Sequence, residues 1–305
     1  MTQTHNNGTL RTALDTLLTA LAPGIWGSTY IVTTELLPPD RPFTAALIRA
    51  LPAGLILLSV NQALPSRAYW PKLLILSAIN IAAFQAMIFI AAYRLPGGLA
   101  AVIGAFQPLL VMALAWSLDA KRPIPLAVLA SGGAIAGMAL LLLSPTASWD
   151  VIGITAAFAG AFFMAAGIYL SRRWAPDMSV GAFTGWQLLL GGLMLIPVAL
   201  AIDPPLPPLN AVQAGGYIYL SLGGALVAYA LWFRGIGRLS PVSVSSLGLL
   251  SPVTAVLLGW VILGERLNTQ GLIGLTAVLA GILAVQFIQH HSPPPAFPKQ
   301  ENSHV

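Results

Sequence analysis

The sequence predicts an all-α integral membrane protein: ten transmembrane helices arranged as two inverted five-helix repeats, with the N- and C-termini both cytoplasmic. Three observations carry that prediction. The 305-residue chain is 57% hydrophobic and only 8% charged, whereas a soluble globular domain carries roughly 25% charged residues. Short polar breaks divide it into apolar segments of about 20 residues, the length that crosses a hydrocarbon core of roughly 30 Å as a helix. An unusual motif, a glycine four residues before a proline, stands in two of those segments as GAFQP (Gly104 to Pro108) and GLLSP (Gly248 to Pro252).

The segments run over 13–34, 41–61, 72–93, 96–118, 124–144, 150–171, 179–201, 210–233, 239–263 and 269–289. The breaks between them, among them LLPPDRP, DAKRP, RRWAPD and DPPLPPLN, are rich in Pro, Asp and Arg, residues that interrupt helices or are costly in hydrocarbon. The polar start, 1–12, and the tail, 290–305, are expected to be disordered, being too short and too polar to bury a core. Between them, 13–144 forms the first five-helix repeat and 150–289 the second. The ALA of Ala20 to Ala22 resembles a signal-peptide cleavage site. The apolar run nevertheless continues past Pro23 to spanning length, so this segment is expected to remain as a helix. There is no cysteine, which removes disulfides, thiol catalysis and thiolate metal ligands together.

Lys and Arg accumulate in cytoplasmic loops. With the N-terminus inside, the cytoplasmic segments hold Arg11, Arg67, Lys72, Lys121, Arg122, Arg172, Arg173, Arg234, Arg238 and Lys299, against Arg41, Arg94 and Arg266 outside. The net charge of +5 is therefore a topology signal. It implies no nucleic acid; the partners expected are the lipid bilayer and a small-molecule substrate, with the chain acting as a monomer.

Pro108 and Pro252 lie 144 positions apart (252 − 108), and the same offset relates Arg94 to Arg238, Trp116 to Trp260, Arg122 to Arg266 and Gly137 to Gly281. Earlier in the chain, Pro39 and Asp40 match Pro176 and Asp177 at an offset of 137 (176 − 39), so a small insertion separates the two registers. Five spans per repeat is an odd number, so the second copy enters the membrane upside down, an architecture of secondary transporters. Proline inside a helix removes one N–H and crowds the carbonyl four residues back, here that of Gly104 and of Gly248. Both prolines fall about one residue from the middle of their segments, at about 1.5 Å per residue. Gly104, Pro108, Gly248 and Pro252 are expected to act as paired hinges, with freed glycine carbonyls and with Gln107 and Ser251 alongside at the same depth.

Arg49 is also near the middle of its segment, where a cation costs about 2.5–3.5 kcal/mol and needs acceptors or a water-filled cavity. Two readings stand: a fork that clamps a substrate carboxylate, or a staple to helix-end carbonyls of a neighbour. No carboxylate shares its depth; Asp15 lies toward the cytoplasmic end of its span and Asp150 at the outer edge of its own. The offset of 137 maps Arg49 onto Trp186 and Ala50 onto Gln187. With Trp26, Tyr30 and Gln85 these residues are expected to line a midplane cavity. A zwitterion is expected to place its ammonium near Gly104 and Gly248, its carboxylate near Arg49 or Gln187, and its side chain near Trp186. An enzyme is not expected: His5, His290, His291 and His304 are confined to the ends, and no HExxH or GxSxG occurs. Neither a cofactor nor a metal is called for.

GIWGSTYIV in the first segment, AALIRALPAGLILL in the second and SPVSVSSLGLLSPVTAVLLGWVILGERLNTQGLIGLTAVLAGIL in the last two resemble the drug/metabolite transporter superfamily, EamA type, over nearly all of 13–289. Within it the chain is most similar to bacterial exporters of aromatic and other amino acids. One departure is DAKR (Asp119 to Arg122) in place of Gly-Glu-Arg after the fourth segment, so the glutamate of that motif, here Glu265, is not required on both sides. The resemblance implies export of small metabolites across the bacterial inner membrane. The resulting expectation is a carrier for amino acids or similar small zwitterions, working by facilitated diffusion and alternating access. A broad drug or metabolite exporter and a channel-like pore are the alternatives.

Overall fold

The computed structural model describes residues 2–94, 97–142, 150–174, 178–262, 264 and 268–291. Glu265 and the tail from 292 onward lie outside the described residues. The described chain is helical throughout, without strands, as expected where lipid offers the backbone no other hydrogen-bond partner. Nine helical stretches among the described residues are long and apolar enough to cross a membrane: Pro42–Val60, Arg67–Ile88, Ala100–Asp119, Pro125–Leu142, Val151–Arg173, Val180–Ile202, Ala211–Arg238, Pro241–Ile262 and Thr269–His291.

The segment 13–34 is not among those nine. It lies in α1 (Thr2–Ile31) and a following π turn, Val32–Leu36, where Asp15, Pro23 and several Thr, Ser and Gly residues dilute its apolar content. Residues 2–12, where the sequence suggests disorder, continue α1, because a helix already nucleated propagates at little cost. For the same reason the last helix runs two residues past 289, to His291.

After α1 come α2 (Pro42–Val60), α3 (Trp70–Ser77), α4 (Phe84–Arg94), α5 (Gly97–Gly104), α6 (Gln107–Asp119), α7 (Pro125–Leu142) and α8 (Val151–Arg173). They are followed by α9 (Val180–Ile202), α10 (Ala211–Ser221), α11 (Ala228–Arg238), α12 (Pro241–Leu247), α13 (Leu250–Ile262) and α14 (Thr269–His291). Several starts are capped by the polar residues of the breaks. Asp150 accepts from Gly153 N, Ser179 from Ala182 N and Ser240 from Ser243 N, and Asn210 forms a reciprocal box with Gln213, satisfying donors that a helix start leaves free.

Two kinds of irregularity recur. α3 passes into α4, and α10 into α11, through π turns at Ala78–Ala83 and Leu222–Val227, which begin 144 positions apart (222 − 78). The helices also break inside both Gly-x-x-x-Pro stretches, at Ala105–Phe106 and at Gly248–Leu249. Each break precedes its proline, so Pro108 and Pro252 fall in the first turns of α6 and α13, where a missing N–H leaves no bond unmade.

The most extensive pairings are α2 with α9 and α7 with α14. α2 and α9 are antiparallel: Ser179 Oγ donates to Asn61 Oδ1 (3.3 Å) at one end, and Thr44 N donates to Asp203 Oδ2 (2.5 Å) at the other. In the α7–α14 pair, a Cβ added at Gly137 would lie 2.9 Å from Gly274 O, and one added at Gly281 would lie 2.9 Å from Ala130 O. Gly281 is Gly137 plus 144, and Gly274 is Ala130 plus 144. The two contacts are thus related by one offset, and only residues without a side chain allow the backbones so close.

Candidate functional site

The site is built on the second π turn. There the carbonyl of Gly224 accepts two side-chain donors, Trp26 Nε1 at 2.9 Å and Arg49 Nη2 at 3.1 Å. Widened π turns of this kind are frequent at functional sites. A Cβ at Gly224 would stand 3.6 Å from Arg49 Nε, an ordinary contact, and 3.3 Å from Thr29, which is tight. The guanidinium carbon lies 5.8 Å from the centre of the Tyr229 ring, within range of a cation–π attraction. No carboxylate pairs with Arg49 among the described residues, and its Nε is buried without a partner.

An aromatic wall continues from there. Trp26 packs 5.1 Å from Tyr229 and 5.1 Å from Trp232, and Tyr229 stacks on Phe233 at 5.9 Å. Gly27 places this wall: a Cβ there would lie 2.5 Å from Ser251 O and 2.6 Å from the Thr254 side chain, so α1 rests directly on α13. Gln85 Nε2 donates to Tyr229 Oη at 3.3 Å. These two residues are themselves 144 positions apart (229 − 85), so equal registers meet at this point.

A second polar cluster sits on the first π turn. Asn80 Nδ2 donates to Gln187 Oε1 at 2.7 Å and to Ser171 Oγ at 3.1 Å. All three residues are buried. Gly167 makes the room, since a Cβ there would strike Asn80 Oδ1. Gln187 Nε2 is left buried with no acceptor.

The structure therefore divides the residues singled out in the sequence. Arg49, Trp26 and Gln85 come together around Gly224 and Tyr229. Gln187 joins Asn80 and Ser171 instead. Trp186 belongs to neither group: its Nε1 donates to Ala63 O at 2.9 Å and its ring meets Trp70 edge-on at 5.1 Å. Trp186 and Gln187 are successive residues of α9, so their side chains point about 100° apart, and Trp186 faces the α2–α3 connection while Gln187 faces Asn80. Gln107 Oε1 lies 3.4 Å from where a Gly248 Cβ would stand, which joins the two broken helices. The Gly248 carbonyl is not free, because Ser251 N donates to it at 3.1 Å; the turn before Pro252 supplies the donor that the proline lacks. The Tyr30 side chain lies outside the described part of the structure. Gly224 has no polar side chain and so carries no polar signal in the sequence, although adding 144 to Asn80 reaches it.

Ionic ties close the helix ends. Asp15 pairs with Arg234 at 2.5 Å and with Arg238 at 3.3 Å. Asp119 pairs with Arg173 and with Lys121, and receives the Tyr169 hydroxyl. At the opposite ends Asp150 meets Arg94 at 3.3 Å. The Gly153 N–H, and after it Arg94, hold the Asp150 carboxyl below its usual range.

The sequence pattern of the EamA-like transporter family matches residues 15–143 and again residues 151–287. Protein PecM of Dickeya dadantii (strain 3937) is 40% identical over 269 residues, covering 88% of this chain and 90% of PecM. YedA, an uncharacterized inner membrane transporter of Escherichia coli (strain K12), is 28% identical over 272 residues, covering 86% of this chain and 87% of YedA. A solved crystal structure shares the fold with a TM-score of 0.78 at 18% identity, over 91% of this chain and 98% of that one. Helical architecture, a family pattern matched in both halves and the similarity to PecM agree, and the chain belongs to the EamA-like transporter family.

Proposed function

We propose that this membrane transporter of the drug/metabolite type exports amino acids or similar small zwitterions across the bacterial inner membrane. It does so by alternating access between two inverted five-helix halves, as a ten-span monomer with both termini in the cytoplasm. Arg49 is the observation that carries the substrate reading. A cation held by one backbone carbonyl, with a buried donor unspent and no carboxylate paired with it among the described residues, suits the carboxylate of a ligand. The faces of Trp26, Tyr229 and Trp232 suit an ammonium or an aromatic side chain. The ammonium thus moves from the Gly248 carbonyl, which is occupied, to this wall.

Support for the two-fold reading comes from the π turns at equal register, the Gly137 and Gly281 contacts, and the meeting of Gln85 with Tyr229. Transport down the substrate gradient is supported by Asp15, the carboxylate of which is tied to Arg234 and Arg238 near the end of α11. The same aromatic wall favours a second reading, a broad exporter indifferent to the head group. Counterflow in proteoliposomes separates the readings. Unlabelled amino acids on the far side should accelerate entry of labelled phenylalanine. Acceleration by hydrophobic amines and neutral aromatics equally well would favour the broad exporter, and no acceleration by anything would favour a pore.

A further inference from the structure

The two π turns hold chemically different versions of one arrangement. Around Gly224, the third helix of the second half receives side chains from the first and second helices of the other half, Trp26 and Arg49. Around Asn80, the third helix of the first half binds side chains from α8 and α9, Ser171 and Gln187, the corresponding helices of the opposite half. Asn80 and Gly224 occupy the same register, 144 positions apart (224 − 80). Arg49 stands seven residues past the start of α2 and Gln187 seven past the start of α9. Because α2 and α9 run antiparallel, the two clusters lie in opposite halves of the bundle.

Neither cluster is fully satisfied. Arg49 Nε in one and Gln187 Nε2 in the other are buried donors without acceptors. A buried network that served only to fix the fold would be expected to pair all its members, since a half-paired one is costly. Two half-paired networks at equivalent positions, each with a donor left over, are held less tightly than fully paired ones and can give up their partners at lower cost.

We propose that Asn80 is a positioning residue for transport: through Gln187 and Ser171 it closes one half of the pathway, as Gly224 through Arg49 and Trp26 closes the other, and the two closures are released in alternation. This extends the alternating-access reading above and is independent of which molecule is carried. Both closures are made in this structure; weakening one favours the state in which it is released and the other is kept.

The absence of cysteine makes this testable with Ser77→Cys and Ser221→Cys. These serines lie at equal register, three residues before Asn80 and Gly224, and both are buried. Each single-cysteine protein is purified as the full chain without substrate and modified with a water-soluble methanethiosulfonate. Asn80→Gly, which copies the residue at the equivalent position, should speed modification at Ser77→Cys about tenfold and slow it at Ser221→Cys by a similar factor. That is the population change expected when two net hydrogen bonds are lost from one side of an equilibrium. Should Asn80→Gly fail to fold, Ser171→Ala removes one of the two bonds and should give the same opposed shifts at about half the size on a logarithmic scale. Rates that rise together would mean general loosening, and unchanged rates a purely structural cluster; either overturns the proposal. Absence of phenylalanine counterflow with opposed labelling shifts intact would instead sink the amino-acid reading alone.

Discussion

Replacing Arg49 with lysine tests whether its unspent donor serves a ligand. The arginine holds Gly224 O through Nη2 at 3.1 Å and keeps Nε unpaired, so it can bind the π turn and a carboxylate at once. A lysine keeps the charge but offers one ammonium in place of a planar fork, and must divide it between those two acceptors. Losing one charge-assisted hydrogen bond to a carboxylate costs about 1.5–3 kcal/mol, so half-saturation for phenylalanine should rise about 10- to 150-fold. Phenylalaninamide lacks the carboxylate and should change less than about threefold. Counterflow with both compounds, alongside thermal melts of the purified protein, reads the difference. Equal losses for acid and amide, accompanied by a lower melting temperature, would show that Arg49 only ties α2 to the π turn.

Other consequences are equally direct. Gly167→Ala drives a methyl group into Asn80 Oδ1 and should lower stability by about 1–3 kcal/mol, measured by thermal unfolding; Asn80→Gly in the same chain should restore much of it. Pro108→Ala and Pro252→Ala lie in first helical turns and should leave stability within about 1 kcal/mol while slowing counterflow, because alanine lets the helix run through the break; unchanged rates in both would exclude a hinge role. Asp15→Asn strands Arg234 and Arg238 and should lower the melting temperature but leave net flux without a pH gradient largely intact, whereas flux that depends strictly on a proton gradient and vanishes in the variant would refute downhill transport. Asp150 has its folded pKa depressed by Gly153 N–H and then by Arg94, so its contribution is present above the ordinary carboxylate range and is lost as pH falls through the lowered value. Melts on acidification should show that loss in the natural protein and not in Asp150→Asn.

Composition and spacing alone determined the solvent, the apolar helices from Pro42 to His291 and the two places where helices break. Each of these is a local property: a run of side chains that water rejects, or a proline whose missing N–H acts within one turn. The offset of 144 was legible too, and the two π turns begin at that same offset although no letter marks them. Tertiary structure decided the partners. Arg49 bonds a carbonyl 175 positions away and Trp26 bonds the same carbonyl from 198 positions away, and a backbone carbonyl has no distinct symbol in a sequence. Trp186 and Gln187 are neighbours in the chain, yet a helix turns successive side chains about 100° apart. One of them therefore faces the α2–α3 connection and the other the buried Asn80, and only the packing of α9 against its neighbours could assign which.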